Sequence, residues 1–566
     1  MTPRPYALSG NTLVEALDSI VATFPDSTAS FPGTNQVMTL AALSAAADRV
    51  GSTLLDAGVE RGEVVGVLMS TRAEFLTSLF GIVRIGAVCS ILPTPAGFSP
   101  AAGHIVRLAK IADTAQMKRI IADETFAPAV ALIAEHTTET TPTLIDLEAL
   151  TRDAGPLPEP PLPSDEAVVQ FTSGSTADPK GVILTHGELT AGLLACAVSG
   201  EFSPDDVFTQ WVPHFHDMGL VGLLSHLLNG ASVHVFSPLY FIRNADKMLR
   251  HLSEQRVTVF TSPNFGYDHL CSVATPELVS ELDLSAWRLA FNGAEPIRAE
   301  SVERFASTFA AAGLSQSAMY PVYGMAEATL AICFPPPGTK PRIEWVDRAE
   351  LGRSGRAVPA TPESLQAKGI VSVGKPVHGI AVRIVDADGN TRGEGELGDI
   401  QISGPPVSRG YYRNAAATAE SRDGDWFRTG DLGLCLNGDF FVTGRRKDMI
   451  VVRGQNYFAE DVELVARDVE GVYKQNCVAF ADTRDEGSEC LTVLVEVSAK
   501  TDAHELVGHV LDKVRSSLDV DAVRVHAVPP RWIPKTTSGK WKRSAARDEI
   551  VSGTDSVIAT SPAPGR

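Results

Sequence analysis

The 566-residue chain is poor in basic residues and has no long uninterrupted apolar run. Lys and Arg number 49 against 68 Asp and Glu, which gives a formal net charge of −19. Nucleic acid requires a concentrated positive face, so we expect no nucleic-acid partner. The longest apolar stretch, residues 75–92, contains Arg84 and two glycines, and it therefore favours a buried helix followed by a strand over a transmembrane segment.

Cysteine is also scarce, with seven residues that show no spacing typical of a metal site. The N-terminal sequence MTPRPYALSGNTLVEAL has no basic segment followed by an apolar core, so we expect no signal peptide. Free thiols without an export signal are typical of a reducing compartment, and we therefore expect a cytoplasmic protein.

Apolar residues make up 44% of the chain, enough for large cores, and the length predicts two or more domains. A predicted strand at 64–69 precedes a helix at 74–85 and a second strand at 87–92, an alternation typical of parallel sheets covered by helices. Residues 373–442 show short strands separated by Gly turns, which predicts a small β-rich subdomain. After Gly444 helical stripes and strands follow each other again, which predicts a compact α+β domain.

The strongest local motif is FTSGSTADPKG at residues 171–181. An apolar strand leads into a loop rich in hydroxyl groups and glycines, and Lys180 closes the loop. Backbone amides, hydroxyl donors and one ammonium group suit the terminal phosphates of a nucleotide. The order Lys180-Gly181 excludes the P-loop of kinases and GTPases, in which the lysine follows the glycine. The alternative is a surface linker rich in Ser and Gly.

With this loop as the first of six segments, the chain resembles the adenylate-forming superfamily of acyl-CoA synthetases, firefly-type luciferases and adenylation domains. The other segments follow in the family's order: NGAEP at 292–296, YGMAE at 323–327, TGD at 429–431, GRRKD at 444–448 and PKTTSGK at 534–540. Each segment is short, but six in collinear order make coincidence negligible. The resemblance implies an enzyme that uses ATP and Mg²⁺.

The resemblance also implies which residues bind the nucleotide and the metal ion. The nucleotide-binding residues are Thr172, Ser173, Gly174, Ser175, Thr176 and Lys180 in the phosphate loop, Gly293, Ala294 and Glu295 along the adenine, Tyr323, Gly324 and Met325, with Tyr323 stacked on the adenine, and Asp431 and Arg445 at the ribose. Glu327 is the implied Mg²⁺ ligand and Thr176 a second contact, because both offer hard oxygen atoms. Without the resemblance, Asp431 is interpreted as a turn residue and Glu327 as a helix surface residue.

Lys540 carries the central catalytic role in this resemblance. A fatty carboxylate and ATP are both anionic, so positive charge must offset their repulsion before a carboxylate oxygen attacks the α-phosphorus. The Lys540 ammonium would provide a point charge between the carboxylate and the α-phosphate. The alternative is a solvated lysine among the other basic residues of this segment.

Four segments resemble one branch of the superfamily, the fatty acyl-AMP ligases. They are WVPHFHDMGL at 211–220, SPNFGYD at 262–268, WRLAFNGAEP at 287–296 and RGQNY at 453–457. The resemblance places His216 at the acyl carboxylate and the α-phosphate, as a catalytic and substrate-binding residue. The alternative is a core histidine.

An apolar acyl pocket is expected from the stretch after His216 and from residues 257–267. The candidate contacts are Gly219, Leu220, Leu224 and Phe265. Tunnel linings and ordinary cores share one composition, so the sequence does not separate these two roles.

Two residues depart from the family pattern. Ala177 stands where the phosphate loop usually has glycine, which implies a strained or differently shaped loop if the position needs a positive φ. His214 replaces a more commonly apolar residue beside the carboxylate site. We expect either change to affect the rate or the choice of substrate, because neither removes a charged group.

Residues 334–368 form a polar stretch that we expect to be irregular. Tyr323 and Gly374 are 51 positions apart, longer than in typical acyl-CoA ligases, and the surplus lies where fatty acyl-AMP ligases carry their insertion. The resemblance implies that this insertion restrains the small domain and disfavours coenzyme A. The alternative is a loop without a functional role.

The acceptor implied by the resemblance is the phosphopantetheine thiol of an acyl carrier protein. Carrier proteins are acidic, so a cluster of basic residues is the expected contact with such a partner. The cluster consists of Arg531, Lys535, Lys542 and Arg543.

We therefore predict an α/β fold with a large N-terminal domain at 1–443, a hinge at 444–447 and a mobile small α+β C-terminal domain at 448–566. The large domain contains parallel-type α/β subdomains and the small β-rich subdomain. The predicted function is that of a fatty acyl-AMP ligase with a fatty acid as substrate. The alternatives are an acyl-CoA synthetase, which shares the adenylation step, and an inactive relative that binds nucleotide or acyl groups.

Overall fold

The structure is a computed structural model that describes residues 7–94, 102–147, 150, 155–172, 179–364, 366–453, 455–482, 490–535 and 541–562. The chain packs into two compact units. Unit 1 comprises Met1–Arg342, Val373–Val382 and Ile402–Phe427, and unit 2 comprises Ile343–Ser372, Arg383–Gln401 and Arg428–Arg566. These units do not coincide with the predicted boundary at 443/444. The predicted boundary separates a large domain from a mobile small domain, whereas the two units are defined by packing. The boundary therefore stays a prediction.

Unit 1 contains a seven-stranded sheet that is parallel except for one edge strand. In spatial order its strands are β13 (Met319–Pro321), β12 (Leu289–Asn292), β11 (Val259–Ser262), β9 (Val207–Gln210), β10 (Ser232–Val235), β1 (Thr28–Phe31) and β2 (Gln36–Thr39). All four residues of β11 and of β12 are buried, which is the pattern of strands covered on both faces.

A second sheet of unit 1 has six strands. They are β6 (Thr143–Asp146), β5 (Arg119–Ala122), β3 (Val64–Leu68), β4 (Val88–Ile91), β7 (Glu166–Thr172) and β8 (Lys180–Thr185). The strands from β6 to β7 are parallel, and β8 runs antiparallel to β7. The predicted strand-helix-strand alternation at 64–92 is confirmed, because β3 and β4 are parallel neighbours joined by a helix.

Helices cover these sheets. The helices of unit 1 are α1 (Leu13–Thr23), α2 (Leu40–Asp56), α3 (Glu74–Arg84), α4 (Ala102–Ala115), α5 (Ala127–His136), α6 (His186–Ser199), α7 (Asp217–Leu227), α8 (Pro238–Arg243), α9 (Ala245–Glu254), α10 (Asn264–Val273), α11 (Pro276–Ser280), α12 (Ala299–Thr308) and α14 (Ala415–Glu420). A capping box begins α6, in which the Thr185 hydroxyl accepts from the Glu188 amide and the Glu188 carboxylate accepts from the Thr185 amide. A small antiparallel sheet completes the unit, with strands β14 (Tyr323–Gly324), β15 (Ala331–Phe334) and β18 (Lys375–Pro376).

The β-rich region predicted at 373–442 forms a five-stranded sheet. Its strands are β19 (Ala381–Val385), β20 (Gly398–Ser403), β22 (Trp426–Leu436) and β21 (Arg422–Asp423), with β23 (Asp439–Arg445) also paired to β22. The pairing of β22 with β23 places Asp431 opposite Arg445.

The C-terminal part of unit 2 is the predicted α+β module. Its strands are β24 (Met449–Val452), β25 (Gln455–Phe458), β26 (Val472–Asp482), β27 (Cys490–Val497), β28 (Val523–Val528) and β29 (Ala559–Thr560), and its helices are α15 (Ala459–Arg467), α16 (Ala503–Leu518) and α17 (Arg543–Val551). The last four strands form one sheet, and its central strand β27 is buried at all eight positions. One face of α16 packs into the core of this module through Val507, Val510 and Val514.

The predicted irregular stretch at 334–368 requires correction, because it contains regular structure. An antiparallel pair, β16 (Ile343–Asp347) and β17 (Ala367–Val371), encloses the helix α13 (Arg348–Ser354). Prolines and glycine crowd into residues 335–342 and mask this pattern in the sequence. The apolar residues that stabilise it pack on distant strands, since Val346 and Ile370 share a core with Leu434.

The seven cysteines are free thiols. Burial raises the pKa of several of them, including Cys89 and Cys196, which suits small apolar core residues rather than nucleophiles. Within the described ranges, no helix is both long and apolar enough to cross a membrane.

Candidate active site

The predicted site residues of unit 1 follow the carboxyl ends of neighbouring parallel strands. The strands β9, β11, β12 and β13 end at Gln210, Ser262, Asn292 and Pro321. The segments that follow them contain His216, the α10 start, Gly293 to Glu295, and Tyr323. Ligands of open parallel sheets bind at this edge. The fold therefore brings separate sequence motifs to one edge of one sheet.

Hydrogen bonds hold the turn after β12 against the start of α10. The Asn264 side chain donates to the Pro296 carbonyl at 2.8 Å and accepts from the Asn292 amide group at 3.0 Å. The Glu295 carboxylate accepts from the Phe265 backbone amide at 3.2 Å. Ala294 lies in the left-handed region with a φ of 67°, a conformation typical of tight turns. The Glu295 carboxylate therefore stabilises the start of α10 by a hydrogen bond, in addition to its predicted role at the nucleotide.

The turn after Tyr323 is tightly folded. A Cβ atom at Gly324 would collide with the Leu330 carbonyl oxygen, so only glycine fits there. The Met325 amide donates to that same carbonyl at 2.8 Å. Thr329 closes the turn with a φ of 64°, and its buried hydroxyl donates to the Pro406 carbonyl at 2.8 Å. This turn fixes the backbone that carries Glu327.

Glu327 is 9% exposed and is held by a residue that the sequence motifs do not include. The Tyr411 hydroxyl donates to Glu327 Oε1 at 2.9 Å. The Lys180 ammonium lies 5.1 Å from the centre of the Tyr411 ring, within range of a cation–π contact. Tyr411 therefore contacts both the predicted phosphate-binding lysine and the predicted metal-binding carboxylate.

The backbone explains how these three distant residues meet. The Tyr412 amide donates to the Gly181 carbonyl at 2.7 Å, and the Ile183 amide donates to the Gly410 carbonyl at 3.1 Å. The Glu327 carbonyl accepts from the Ser408 amide at 2.8 Å. Pairing across more than two hundred residues leaves no local signal, so sequence reasoning missed Tyr411.

The donor set at Glu327 fits a magnesium ion. Mg²⁺ prefers oxygen ligands and is usually bound by one or two carboxylates together with substrate phosphates. Within the described parts of the chain no cluster of three or more His, Cys, Asp or Glu side chains suits a metal ion. The buried Glu327 carboxylate, which shares its partner Tyr411 with the Lys180 ammonium, matches an ion whose other ligands are phosphate oxygens.

Two groups of predicted residues lie outside the described ranges. The first is Ser173, Gly174, Ser175 and Thr176 together with Ala177, and the second is Lys540. Thr172 and Lys180 flank the first group and are paired across β7 and β8. Lys535 and Trp541 flank the second group and are likewise paired, with the Lys535 ammonium 3.9 Å from the Trp541 ring centre.

His216 is the N-cap residue of α7 and is half-buried, with its ring 4.7 Å from that of Phe215. Gly219 follows in the first turn, where a Cβ would collide with the Pro213 carbonyl oxygen. The Gln210 side chain donates to the Gly219 carbonyl at 2.9 Å. Gly219 therefore lets the helix start close to the sheet edge, and this packing explains the glycine.

His214 is a core residue. Its ring stacks on Phe75 with 4.2 Å between the ring centres, and burial lowers its pKa to about 4. At neutral pH it is an uncharged aromatic packing group. The substitution of an apolar residue by His214 thus adds no charge beside the site.

An apolar cavity of about 50 Å³ opens beside Tyr323 and Ala294 and extends along α7. Its aromatic wall consists of Phe202, Phe208, Phe291 and Phe334. From α7 it is lined by Asp217, Met218, Gly222, Ser225 and His226.

The predicted acyl contacts are not among the residues that line this cavity, and their role stays a prediction. Leu220 and Leu224 are fully buried in the core, and Phe265 is 48% exposed beside Trp211. None of these three residues lines the cavity. Residues 218, 222, 225 and 226 share one face of a helix, and 220 and 224 share another. Since small or apolar residues occur on both faces of α7, the sequence does not reveal which face meets the cavity.

The two predicted ribose-binding residues form an ion pair in unit 2. Asp431 is 5% exposed, and its Oδ1 lies 3.0 Å from Nε of Arg445. The Thr429 hydroxyl accepts from the Asp431 amide at 3.1 Å and donates to the Ile400 carbonyl at 2.8 Å. The β22–β23 pair thus presents a carboxylate and a guanidinium together.

Arg543 is predicted to lie on a basic contact surface, but in the structure it is paired with carboxylates of its own chain. Its guanidinium is bound at both Nε and Nη2 by Glu463, at 2.6 and 2.8 Å, and by Asp448 at 2.8 Å. Glu460 lies 3.2 Å away. Three carboxylates neutralise this cation, so it anchors the start of α17, three residues after Lys540.

The substitution Arg543→Met should lower the free energy of unfolding by about 3–5 kcal/mol, because it leaves partly buried carboxylates without a counter-ion. Urea unfolding followed by circular dichroism measures this change. Arg547→Met is the matched control, since Arg547 pairs with its exposed neighbour Asp548 on the surface of α17. Equal unfolding midpoints for the two variants would contradict the anchoring role of Arg543.

The chain belongs to the AMP-binding enzyme family, whose model matches residues 17–412. It is 35% identical to the medium-chain-fatty-acid acyl-carrier-protein ligase JamA of Moorena producens, over 88% of this chain and 87% of the relative. It is 30% identical to the long-chain-fatty-acid–AMP ligase FadD32 of Mycolicibacterium smegmatis, over 95% of this chain and 92% of the relative. A solved structure from a study of fatty acyl-adenylate ligases of E. coli and L. pneumophila matches with a TM-score of 0.89 and 29% identity, covering 97% of this chain and 99% of that one. The predicted family and fold class are confirmed.

The substitution Tyr411→Phe should raise the Mg²⁺ concentration needed for half-maximal pyrophosphate–ATP exchange by about tenfold. The phenyl ring keeps its place over Lys180, but Glu327 loses a hydrogen bond worth about 1.5–3 kcal/mol to a charged group. Tyr412→Phe is the control and should leave the Mg²⁺ requirement unchanged. An unchanged requirement in both variants would show that Tyr411 does not position Glu327.

Proposed function

We propose that the protein is a fatty acyl-AMP ligase, which activates a fatty acid with ATP and passes the acyl group to the phosphopantetheine thiol of an acyl carrier protein. The named relatives support the reaction class and the acceptor. The observation that carries the proposal is the cluster of Lys180, Tyr411 and Glu327 in the same unit as the apolar cavity beside Tyr323. A cytoplasmic location is part of the proposal, in keeping with seven free thiols.

The reaction joins two anions. A carboxylate oxygen of the fatty acid attacks the α-phosphorus of ATP, the bond from that phosphorus to the bridging oxygen breaks, and pyrophosphate leaves. Negative charge accumulates on the phosphoryl oxygens, and preorganised positive groups stabilise it. Lys180 supplies one such charge from β8. Mg²⁺, when held by Glu327, supplies further neutralisation of the phosphates.

The remaining roles are assigned to His216, Lys540 and the pair of Asp431 and Arg445. His216 orients the fatty carboxylate at the start of α7. The Lys540 ammonium is delivered to the carboxylate and α-phosphate by the C-terminal domain. Asp431 accepts from the ribose hydroxyls, and Arg445 adds a second contact with the sugar.

The substitution Lys540→Ala should reduce pyrophosphate release by about 10²–10³-fold, as removal of one transition-state charge does in other enzymes. ATP affinity, measured by equilibrium dialysis, should stay nearly unchanged. Lys513→Ala, an exposed lysine of α16, is the control. Pyrophosphate release at the wild-type rate from the Lys540 variant would refute its catalytic role.

Within unit 2, the insertion at 334–368 makes non-covalent contacts with β25 and α15, which follow the predicted hinge. Lys368 of β17 lies 2.9 Å from Asp461 of α15, and its ammonium is 4.1 Å from the Phe458 ring centre. The Asn456 side chain donates to the Gly352 carbonyl at 3.2 Å. Asp461 is 6% exposed, so its pairing with Lys368 is shielded from water. These contacts support the proposal that the insertion restrains the small domain and disfavours coenzyme A.

The double substitution Lys368→Met and Asp461→Asn should increase acyl-CoA formation by about tenfold, the factor that corresponds to about 1.4 kcal/mol of lost restraint. Both charges are removed together so that neither Lys368 nor Asp461 remains charged without the other. Arg348, whose Nε lies 3.8 Å from Asp461, keeps its hydrogen bond to the Ala367 carbonyl at 3.2 Å. Acyl-adenylate formation should remain at the wild-type level. The assay mixes enzyme, ATP, fatty acid and either coenzyme A or a loaded carrier protein.

Arg353→Met is the control for this pair, because Arg353 is 68% exposed on the same insertion. If the double variant rejects coenzyme A as strictly as the wild type does, the contacts of Lys368 do not determine the acceptor. If the wild type itself makes acyl-CoA as fast as it loads the carrier, the acyl-CoA synthetase alternative is correct.

A further inference from the structure

The cavity beside Tyr323 contains one polar group that an unsubstituted fatty chain would leave without a partner. His226, near the end of α7, lines the cavity. Its two ring faces are covered by Phe202 and Phe208, with 4.1 and 4.0 Å between the ring centres. The faces are therefore occupied, and only the nitrogen-bearing edge of the ring remains for other contacts.

The hydrogen bond at one ring nitrogen determines the state of the other. His226 Nδ1 lies 2.9 Å from the Gly222 carbonyl oxygen, which can only accept, so Nδ1 carries the proton. Burial lowers the pKa of His226 to about 4, and the ring is neutral at physiological pH. The Nε2 atom then carries a lone pair and acts as an acceptor.

This Nε2 atom is buried and has no hydrogen-bond partner in the part of the chain that the structure describes. The carboxylate whose charge acts on His226 is that of Asp206. It is already bound by Arg288 at 2.6 and 2.9 Å and by the Thr258 hydroxyl at 2.7 Å. A buried acceptor without a donor is costly, and a ligand that supplies the donor removes that cost.

We propose that His226 Nε2 accepts a hydrogen bond from a hydroxyl group on the acyl chain, so that the preferred substrate is a hydroxylated fatty acid rather than a plain one. This inference rests on the proposed function, because it treats the cavity as the acyl pocket. The aromatic wall of Phe202, Phe208, Phe291 and Phe334 surrounds the alkyl part of such a chain.

The position of the hydroxyl follows from the length of α7. His226 lies nine positions after Asp217, which lines the cavity next to His216. At 1.5 Å per residue this is roughly 13 Å. An extended chain advances about 1.2 Å per bond, so the hydroxyl lies about ten or eleven bonds from the carboxyl carbon. The expected substrate is therefore close to 10-hydroxydecanoate.

The test is pyrophosphate–ATP exchange by the full-length enzyme with pairs of acids of matched shape. The central pair is 10-hydroxydecanoate and undecanoate, in which a methyl group replaces the hydroxyl. Shorter and longer pairs are 6-hydroxyhexanoate with heptanoate and 14-hydroxytetradecanoate with pentadecanoate. We expect kcat/KM for 10-hydroxydecanoate to exceed that for undecanoate by about tenfold or more, since a polar site rejects an analogue that lacks its partner.

The substitution His226→Phe should abolish this preference and increase the use of undecanoate. His251→Phe is the control, because His251 is also packed among aromatic rings but bonds to His234 and does not line the cavity. If His226→Phe fails to fold, the ratio of the central pair in the wild-type enzyme still decides the question.

Each result has a distinct meaning. If undecanoate is used as well as 10-hydroxydecanoate or better, the role of His226 is refuted while the proposed function stands. If the preference is present but persists in the His226→Phe enzyme, His226 is not its source and the inference also fails. If no carboxylic acid supports exchange, the proposed function itself is refuted.

Discussion

The enzyme must bring together two anions, a carboxylate and a triphosphate, and the repulsion between them is the constraint on which the site depends. In unit 1 Tyr411 contacts both groups that answer this constraint, because its hydroxyl donates to the buried Glu327 carboxylate and its ring lies against the Lys180 ammonium. A carboxylate buried in this way is stable only when it is hydrogen-bonded or paired. The contact with Tyr411 therefore helps to fix the position of the group proposed to hold Mg²⁺.

The backbone around this cluster serves the same purpose. Pairing of Gly410 and Tyr412 with β8 joins residues that are far apart in sequence, and the tight turn at Gly324 and Thr329 prevents Glu327 from moving away. The parallel sheet adds its carboxyl edge, where the turn after β12 and the start of α7 meet the cavity. The buried carboxylate, the turns after β12 and at Tyr323, and an apolar cavity are in this way combined within one compact unit.

Much of this arrangement could be predicted from sequence because it depends on local patterns. The alternation at 64–92 predicts a parallel sheet, and short motifs after strands predict residues at its carboxyl edge. The hairpin at 343–371 could not be predicted, because Val346 and Ile370 are stabilised by Leu434, a residue far along the chain. Tyr411 was missed for the same reason, since its partners at 180 and 327 are reached only through tertiary pairing.

The acyl contacts illustrate a different limit. The sequence predicts that α7 contributes to an apolar pocket, and in the structure Met218 and Gly222 line the cavity while Leu220 and Leu224 lie in the core. A helix with apolar residues on both faces carries only a weak periodic signal for the choice between them. His226 is a polar residue on the lining face. Its proposed role follows from the bond of Nδ1 to the Gly222 carbonyl and from the absence of a partner for Nε2 among the described residues.

A crystal structure with a non-hydrolysable acyl-adenylate analogue tests the central claim most directly. We expect the adenine to lie along residues 293–295 and Tyr323, and the acyl chain to enter the cavity past Met218 towards His226. We also expect a metal ion bound to Glu327 when pyrophosphate and Mg²⁺ are added. An analogue bound at another surface, or an acyl chain directed away from α7, would contradict the account.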